Sequence, residues 1–230
     1  MTRVSSPGEV LSTGWKPVSR GTFLVFFLIM HLGAGQATRP AATTRVARLP
    51  AAHTVTLHAL AMASGDAEGV RRTFLTHNEQ EQAVADAYAG MASAIFRLQS
   101  VAKDKFGEDG FREIGFGKMF DAEVERLKKV EEVQKGDEAF VYTSGKGKMP
   151  LVLVFIGGDW KIDVGRSYPG RIDRRAARIR AQAAAYNDLA AEIKKGVYKT
   201  AEEAKQAGSE KVRAAMEQVD KEFGKSGAGK

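Results

Sequence analysis

The 230-residue chain contains no cysteine. That absence excludes disulfide scaffolds, thiolate zinc sites, iron–sulfur clusters, cysteine nucleophiles and lipid attachment through cysteine. Proline is scarce, at six residues, and glycine shows no triplet period, which excludes a collagen-like chain. No His-Glu-x-x-His, EF-hand loop, Gly-x-Ser-x-Gly elbow or complete phosphate-binding loop occurs. Ser144–Met149 contains Gly-Lys twice, but it lies between strand-like segments and reads as an exposed turn. No metal or cofactor is expected from these patterns.

What is present is an ordinary globular composition, 43% hydrophobic and 27% charged. The net charge of +7 is unevenly spread. Arg3, Lys16 and Arg20 outweigh Glu9 in residues 1–37, and Arg39, Arg45 and Arg48 stand without an acid in 38–52. Those two stretches hold five of the seven charges, so the rest is nearly neutral and a whole-domain nucleic-acid footprint is not indicated.

The apolar run Phe23–Met30 follows Arg20 and precedes Gly35-Gln36-Ala37. A basic start, a short apolar core and a small-x-small end describe a secretory signal peptide over 1–37. The run falls well short of the ~20 residues that span a bilayer, and no later segment approaches that length. The expected location is therefore extracytoplasmic, periplasmic or secreted, with cleavage near Ala37. Retention as an uncleaved anchor is the variant. Residues 38–52, with Pro40, Pro50 and three arginines, read as a basic linker outside the core.

The sequence then predicts helices over 53–64 and 67–75, broken at Ser64-Gly65-Asp66 with Asp66 as a cap. The first has Val55, Leu57, Leu60 and Ala61 as its apolar residues, and the second would bury Val70 and Phe74. From Asn78 to Phe106, apolar residues at Val84, Tyr88, Met91, Ile95, Leu98 and Ala102 recur in steps of four and three, a long helical stripe that Gly107 ends. Residues 108–120 read as a glycine-rich loop with short helical turns. The segment 127–134 is ambiguous. Glu138–Thr143, Leu151–Ile156 and Trp160–Val164, separated by glycine-rich turns, read as an antiparallel meander of three to four strands. Leu151–Ile156 is apolar on both faces. The long helix is expected to cover one, and the two C-terminal helices or a second subunit the other. Those helices are predicted over 173–195 and 200–223, the latter opened by the capping box Thr200-Ala201-Glu202-Glu203, with a disordered tail over 224–230.

Three short stretches carry a resemblance. Ala63-Ser64-Gly65-Asp66-Ala67-Glu68-Gly69-Val70 marks a helix break, Gly136-Asp137-Glu138-Ala139-Phe140-Val141 a hairpin, and Gly158-Asp159-Trp160-Lys161-Ile162-Asp163 a closing strand. Together with the element order they resemble the NTF2-like (SnoaL-like, cystatin-like) superfamily over about residues 53–165. The resemblance implies an α+β fold with short helices and a long helix packed on the sheet. Residues 166–223 form a helical extension outside it. Enzymes of that superfamily hold an aspartate or histidine acid–base pair in a pocket between helices and sheet.

Here that pocket is expected to be lined by Tyr88, Met91, Ile95, Phe140, Tyr142 and Trp160, none of them an acid–base group near neutrality. His53, His58 and His77 are the histidines after the leader. Only His58 is placed to act as a general base, and its plainer reading is a partly exposed helix residue. Asp163 reads as part of a strand-surface pair with Lys161. Arg171, Arg174, Arg175 and Arg178 share a helix face opposite Ile172 and Ile179, a candidate contact for an anionic envelope component. Their plainer reading is a solvated face paired with nearby carboxylates.

The functional expectation is an exported, non-catalytic binding or interaction module with an apolar pocket or a dimer surface. The alternatives are a small dehydratase- or isomerase-type enzyme and a structural envelope protein held through the arginine-rich helix. Intact-mass analysis of the exported protein should show a chain beginning near Thr38. A mature protein retaining residues 2–30 would contradict the leader assignment.

Overall fold

The computed structural model describes residues 48–114, 122–123, 125–127, 129–143 and 149–227. The leader, most of the basic linker, residues 115–120 of the glycine-rich loop and the Ser144–Lys148 turn lie outside the described residues.

The first helix, α1 (Ala51–Ser64), has no side-chain cap of its own. The carboxylate of Glu132, from the sheet, supplies it by accepting from the backbone N–H groups of Ala51 (3.1 Å) and Ala52 (2.9 Å). The linker reading therefore fails for its last residues. Ala51 is fully buried, Leu49 accepts the Trp160 indole N–H at 2.8 Å, and Arg48 stacks on Phe155 and pairs with Asp137.

Helix α1 ends at Gly65 in the left-handed region, φ 72°. Asp66 then caps α2 (Ala67–Arg72), accepting from Gly69 N–H at 2.8 Å. The expectation that α2 reaches Leu75 is corrected. Phe74–Leu75 is a two-residue strand, β1, paired in parallel with Ile162 and Asp163.

The long helix α3 (Glu79–Glu113) is capped by Asn78, whose side chain accepts from Glu81 N–H at 3.0 Å. The helix breaks at Gly107 as read, then resumes for a further turn and a half. The expected stripe is buried at Val84, Met91, Ile95, Leu98 and Ala102, with Tyr88 half-buried. Ala85, Ala87, Ala89, Ala92 and Ala94 are buried as well. Between Val84 and Ile95 only Asp86 and Gly90 are exposed, so the helix is enclosed round most of its circumference there, which only small side chains permit at close helix spacing.

The remaining strands are β2 (Glu131–Lys135), β3 (Glu138–Tyr142), β4 (Leu151–Ile156) and β5 (Asp159–Asp163). The ambiguous 127–134 segment thus supplies a strand. The sheet has five strands in the order β1-β5-β4-β3-β2, antiparallel except for β1 on β5. The expected all-antiparallel sheet of three to four strands is corrected to this mixed one. The α+β class holds.

Register sets the two faces. Ala139, Val141, Leu153, Trp160 and Ile162 share the inner face and the core. Helix α1 comes nearest to it, against β2, β3 and β5, and α3 adds Val84, Ala85, Ala87 and Ala89 to the same core.

After β5 come a short helix α4 (Val164–Ser167), then α5 (Ile172–Lys195) and α6 (Ala201–Gly227). The Thr200–Glu203 capping box forms, with Glu203 N–H donating to Thr200 at 3.2 Å. Helix α6 continues past Phe223, where the sequence reading placed a tail. Neither α5 nor α6 lies on the sheet. They pack on α3 and each other, closing a second core of Met91, Ala94, Ile95, Leu98, Leu189 and Ile193. Among the described residues no helix is long and apolar enough to cross a membrane.

Gly65 and Gly136 separate two costs. Both have positive φ, but a Cβ at Gly65 would lie 2.5 Å from Phe96 Cβ, whereas one at Gly136 meets nothing within 4 Å. Urea unfolding should show Gly136→Ala losing about 1 kcal/mol and Gly65→Ala losing roughly 2 kcal/mol or more. Equal losses would contradict the close approach of α1 and α3.

Candidate functional site

The arginines of α5 gather where that helix meets α6. Arg171, Arg174, Arg175 and Arg178 line one cleft of about 460 Å³ with Ile179, Gln182 and Met216. Ile179 edges the cleft rather than lying opposite it. Arg174 and Arg178 both hold Asp220 of α6, at 2.9 and 2.6 Å. Their hydrogen bonds, Arg178's first, hold the Asp220 carboxyl below the usual carboxylate range. Arg171 pairs with Asp173 at 3.1 Å and sits over the Phe223 ring.

Arg175 differs from the other three. Its Nη2 donates to the Tyr88 hydroxyl at 3.0 Å, and its guanidinium stacks on Tyr168 at 3.8 Å. Its Nε is buried without a hydrogen-bond partner. Leaving such a group unsatisfied costs about 1–3 kcal/mol. Among the described residues no carboxylate pairs with it. Burial raises the Tyr168 phenol far above its ordinary pKa, so Tyr168 stays neutral beside the cation. The solvated, carboxylate-paired reading of this helix face thus fits three arginines and not the fourth.

Tyr88 connects the cleft to an aromatic cluster in the core. His58 stands edge-on to Phe74 at 4.9 Å and to Tyr88 at 5.8 Å, and Tyr88 lies 6.0 Å from Tyr168. His58 is a half-buried residue of α1, as its plainer reading has it, with its ring turned into this cluster. Its Nδ1 lies 2.9 Å from the Thr73 hydroxyl, which donates its own proton to Val70 O at 2.6 Å. A hydroxyl has one proton, so His58 Nδ1 must be the donor in that bond. Burial pushes the His58 pKa down to about 4, so the ring is neutral at ordinary pH.

Asp163 and Glu81 hold the starts of helices, and His77 meets both. Asp163 is buried and caps α4, accepting from Arg166 N–H at 3.0 Å, with His77 Nε2 at 3.3 Å. It is not a strand-surface partner of Lys161, which donates to Arg72 O and lies 3.8 Å from Asp159. Glu81 is buried at the start of α3 and accepts from His77 N–H and the Asn78 amide. His53 is exposed. No group of three metal-ligating side chains occurs among the described residues.

The six side chains expected to share an apolar pocket do not meet. Tyr88 lies in the aromatic cluster, and Met91 and Ile95 in the second core. Phe140 and Tyr142 are half-buried on the outer face of the sheet, since Ala139 and Val141 take the inner positions. The expectation that Phe140 and Tyr142 face the helices is corrected. Helix α1 approaches β3 closely, and small residues admit it. Trp160 is core and also lines a separate open groove of about 560 Å³ with Leu57 and Leu60, between α1, α2 and β5. Those leucines are 46% and 49% exposed. Comparison of the chain with known protein families, curated proteins and solved structures gives no match.

The depressed His58 pKa has a signed consequence. The unfolded chain takes up this proton near pH 6.5, the folded one only near pH 4. Stability is therefore complete above pH 6.5 and falls as pH drops through that window. Denaturant unfolding should show wild type losing about 2 kcal/mol more than His58→Leu between pH 7 and 4.5. Parallel pH profiles would place His58 in water.

Proposed function

We propose that this chain is an exported NTF2-like interaction module without a catalytic role, which associates with a second copy of itself through the outer face of its sheet. The order of helices and hairpins supports the family reading, and the leader pattern supports export.

One observation carries the interaction reading. The outer face carries the apolar row Val133–Phe140–Val152 across β2, β3 and β4, with Tyr142 next to Phe140 on β3 and Val154 and Ile156 following Val152 on β4. Val133 is 44% and Ile156 51% exposed. Among the described residues the short α4 lies against part of this face, through Ser167, which exchanges hydrogen bonds with the backbone of Val152, while Arg72 and His77 meet Lys161 and Asp163 on its β5 side. A sheet face that met only water would carry alternating polar residues. An apolar patch of this kind marks an interaction surface. Charges of both signs lie in the adjoining row Lys135–Glu138–Val154–Lys161 of the same face, with Lys135 beside Phe140 and Glu138 paired to Arg166. That mixture suits a two-fold contact of the patch with itself.

The rival catalytic reading rests on His58, and that ring is packed against Phe74 and Tyr88 and committed to Thr73.

Sedimentation velocity of the full chain should give a dimer at micromolar concentration. Phe140→Glu and Ile156→Glu should each give a monomer with unchanged circular dichroism. A wild-type monomer at every accessible concentration, or a dimer untouched by both substitutions, would overturn the proposal.

A further inference from the structure

From the arginine cleft between α5 and α6 we infer that the protein binds a phosphate-type oxyanion there, carried by a small phosphate ester or a phospholipid headgroup. The site is independent of the sheet face. Four guanidinium groups converge on the cleft, whereas the carboxylates in contact with them are two, Asp173 and Asp220. Two arginines share the single Asp220, and Arg175 has no acid. The cleft therefore holds excess positive charge beyond what its own residues neutralise.

The arrangement is also built to last. Arg175 is fixed from beneath by the Tyr88 hydroxyl and the Tyr168 ring, both of the core, rather than left on a loose surface rotamer. Arg174 and Arg178 are fixed by Asp220 on the facing helix. Positioned guanidinium groups of this kind present paired donors that match the oxygens of a phosphate, which a lysine point charge does not. The side chains of Arg171, Arg174 and Arg178 remain 40–49% exposed, so an anion reaches them from solvent. A volume of about 460 Å³ exceeds what a bare ion fills and suits an ester with its attached group. Ile179 and Met216 offer that group apolar contact.

Isothermal titration of the full chain at low salt with glycerol 3-phosphate and inorganic phosphate, and flotation with phosphatidylglycerol/phosphatidylcholine vesicles against phosphatidylcholine alone, tests the site. Binding of glycerol 3-phosphate assigns a soluble ester. Binding of the anionic vesicles alone assigns a lipid headgroup. In either case Arg171→Gln and Arg174→Gln, both at exposed positions, should weaken binding tenfold or more, and Arg175→Gln should do the same where it folds. Arg97→Gln, which removes a guanidinium bonded to Asn187 farther along α5, should bind as wild type. Absence of binding to every probe would overturn the inference. So would binding that the cleft variants leave intact, or a loss as large for Arg97→Gln as for the cleft variants, which would mark unspecific attraction to net charge.

Discussion

Helix α3 serves two cores at once, and the rest of the structure depends on that double burial. Its early turns are enclosed by α1, α2, the start of α5 and the side chains of the sheet. Its later turns are enclosed by α5 and α6. A helix buried round most of its circumference cannot carry bulk on every side at interaxial distances of about 8–10 Å. Ala85, Ala87, Ala89, Ala92 and Ala94 meet that limit, and Val84, Met91, Ile95 and Leu98 provide the larger contacts. Truncating a fully buried side chain such as Leu98 removes about 2–5 kcal/mol, a large part of the stability of any domain of this size.

Two consequences follow for the surface. Because α5 and α6 are occupied with α3, the outer face of the sheet has no long helix packed on it among the described residues, only the short α4. Because α6 lies beside α5, the arginines of α5 are gathered into a cleft instead of being spread over a solvated face. Tyr88 ties these regions together. Its ring packs in the His58 cluster and its hydroxyl holds Arg175, so the geometry of the cleft is set from within the core.

Much of this was legible in the sequence because local chemistry decided it. Asp66 and Thr200 cap the helices they precede, Gly107 breaks α3, and Gly157-Gly158 turns the last hairpin. The four cleft arginines were also legible, as a helical spacing of like charges. What was not legible depended on distant partners. Phe74–Leu75 is a strand only because Ile162 and Asp163 pair with it from across the domain. Glu132 caps a helix eighty residues earlier in the chain. Period-two alternation in β3 gives two faces but not which one is inner, and the close approach of α1 reverses the choice that side-chain bulk suggests. Leu57 and Leu60 are apolar residues of α1, yet they line the open groove beside β5 and stay about half exposed. The buried alanines leave no mark in a hydrophobic pattern that looks for large residues.

The chain's lack of cysteine makes the central arrangement directly measurable by thiol labelling of single-cysteine variants. Met91→Cys and Leu98→Cys lie under α5 and α6, and Val133→Cys and Ile156→Cys lie on the outer sheet face. In dilute solution, where association is minimal, the account predicts immediate reaction at 133 and 156 and reaction at 91 and 98 only at the rate of unfolding. Fast labelling at 91 and 98 with protection at 133 and 156 would show that the C-terminal helices cover the sheet and not α3, and would contradict the account.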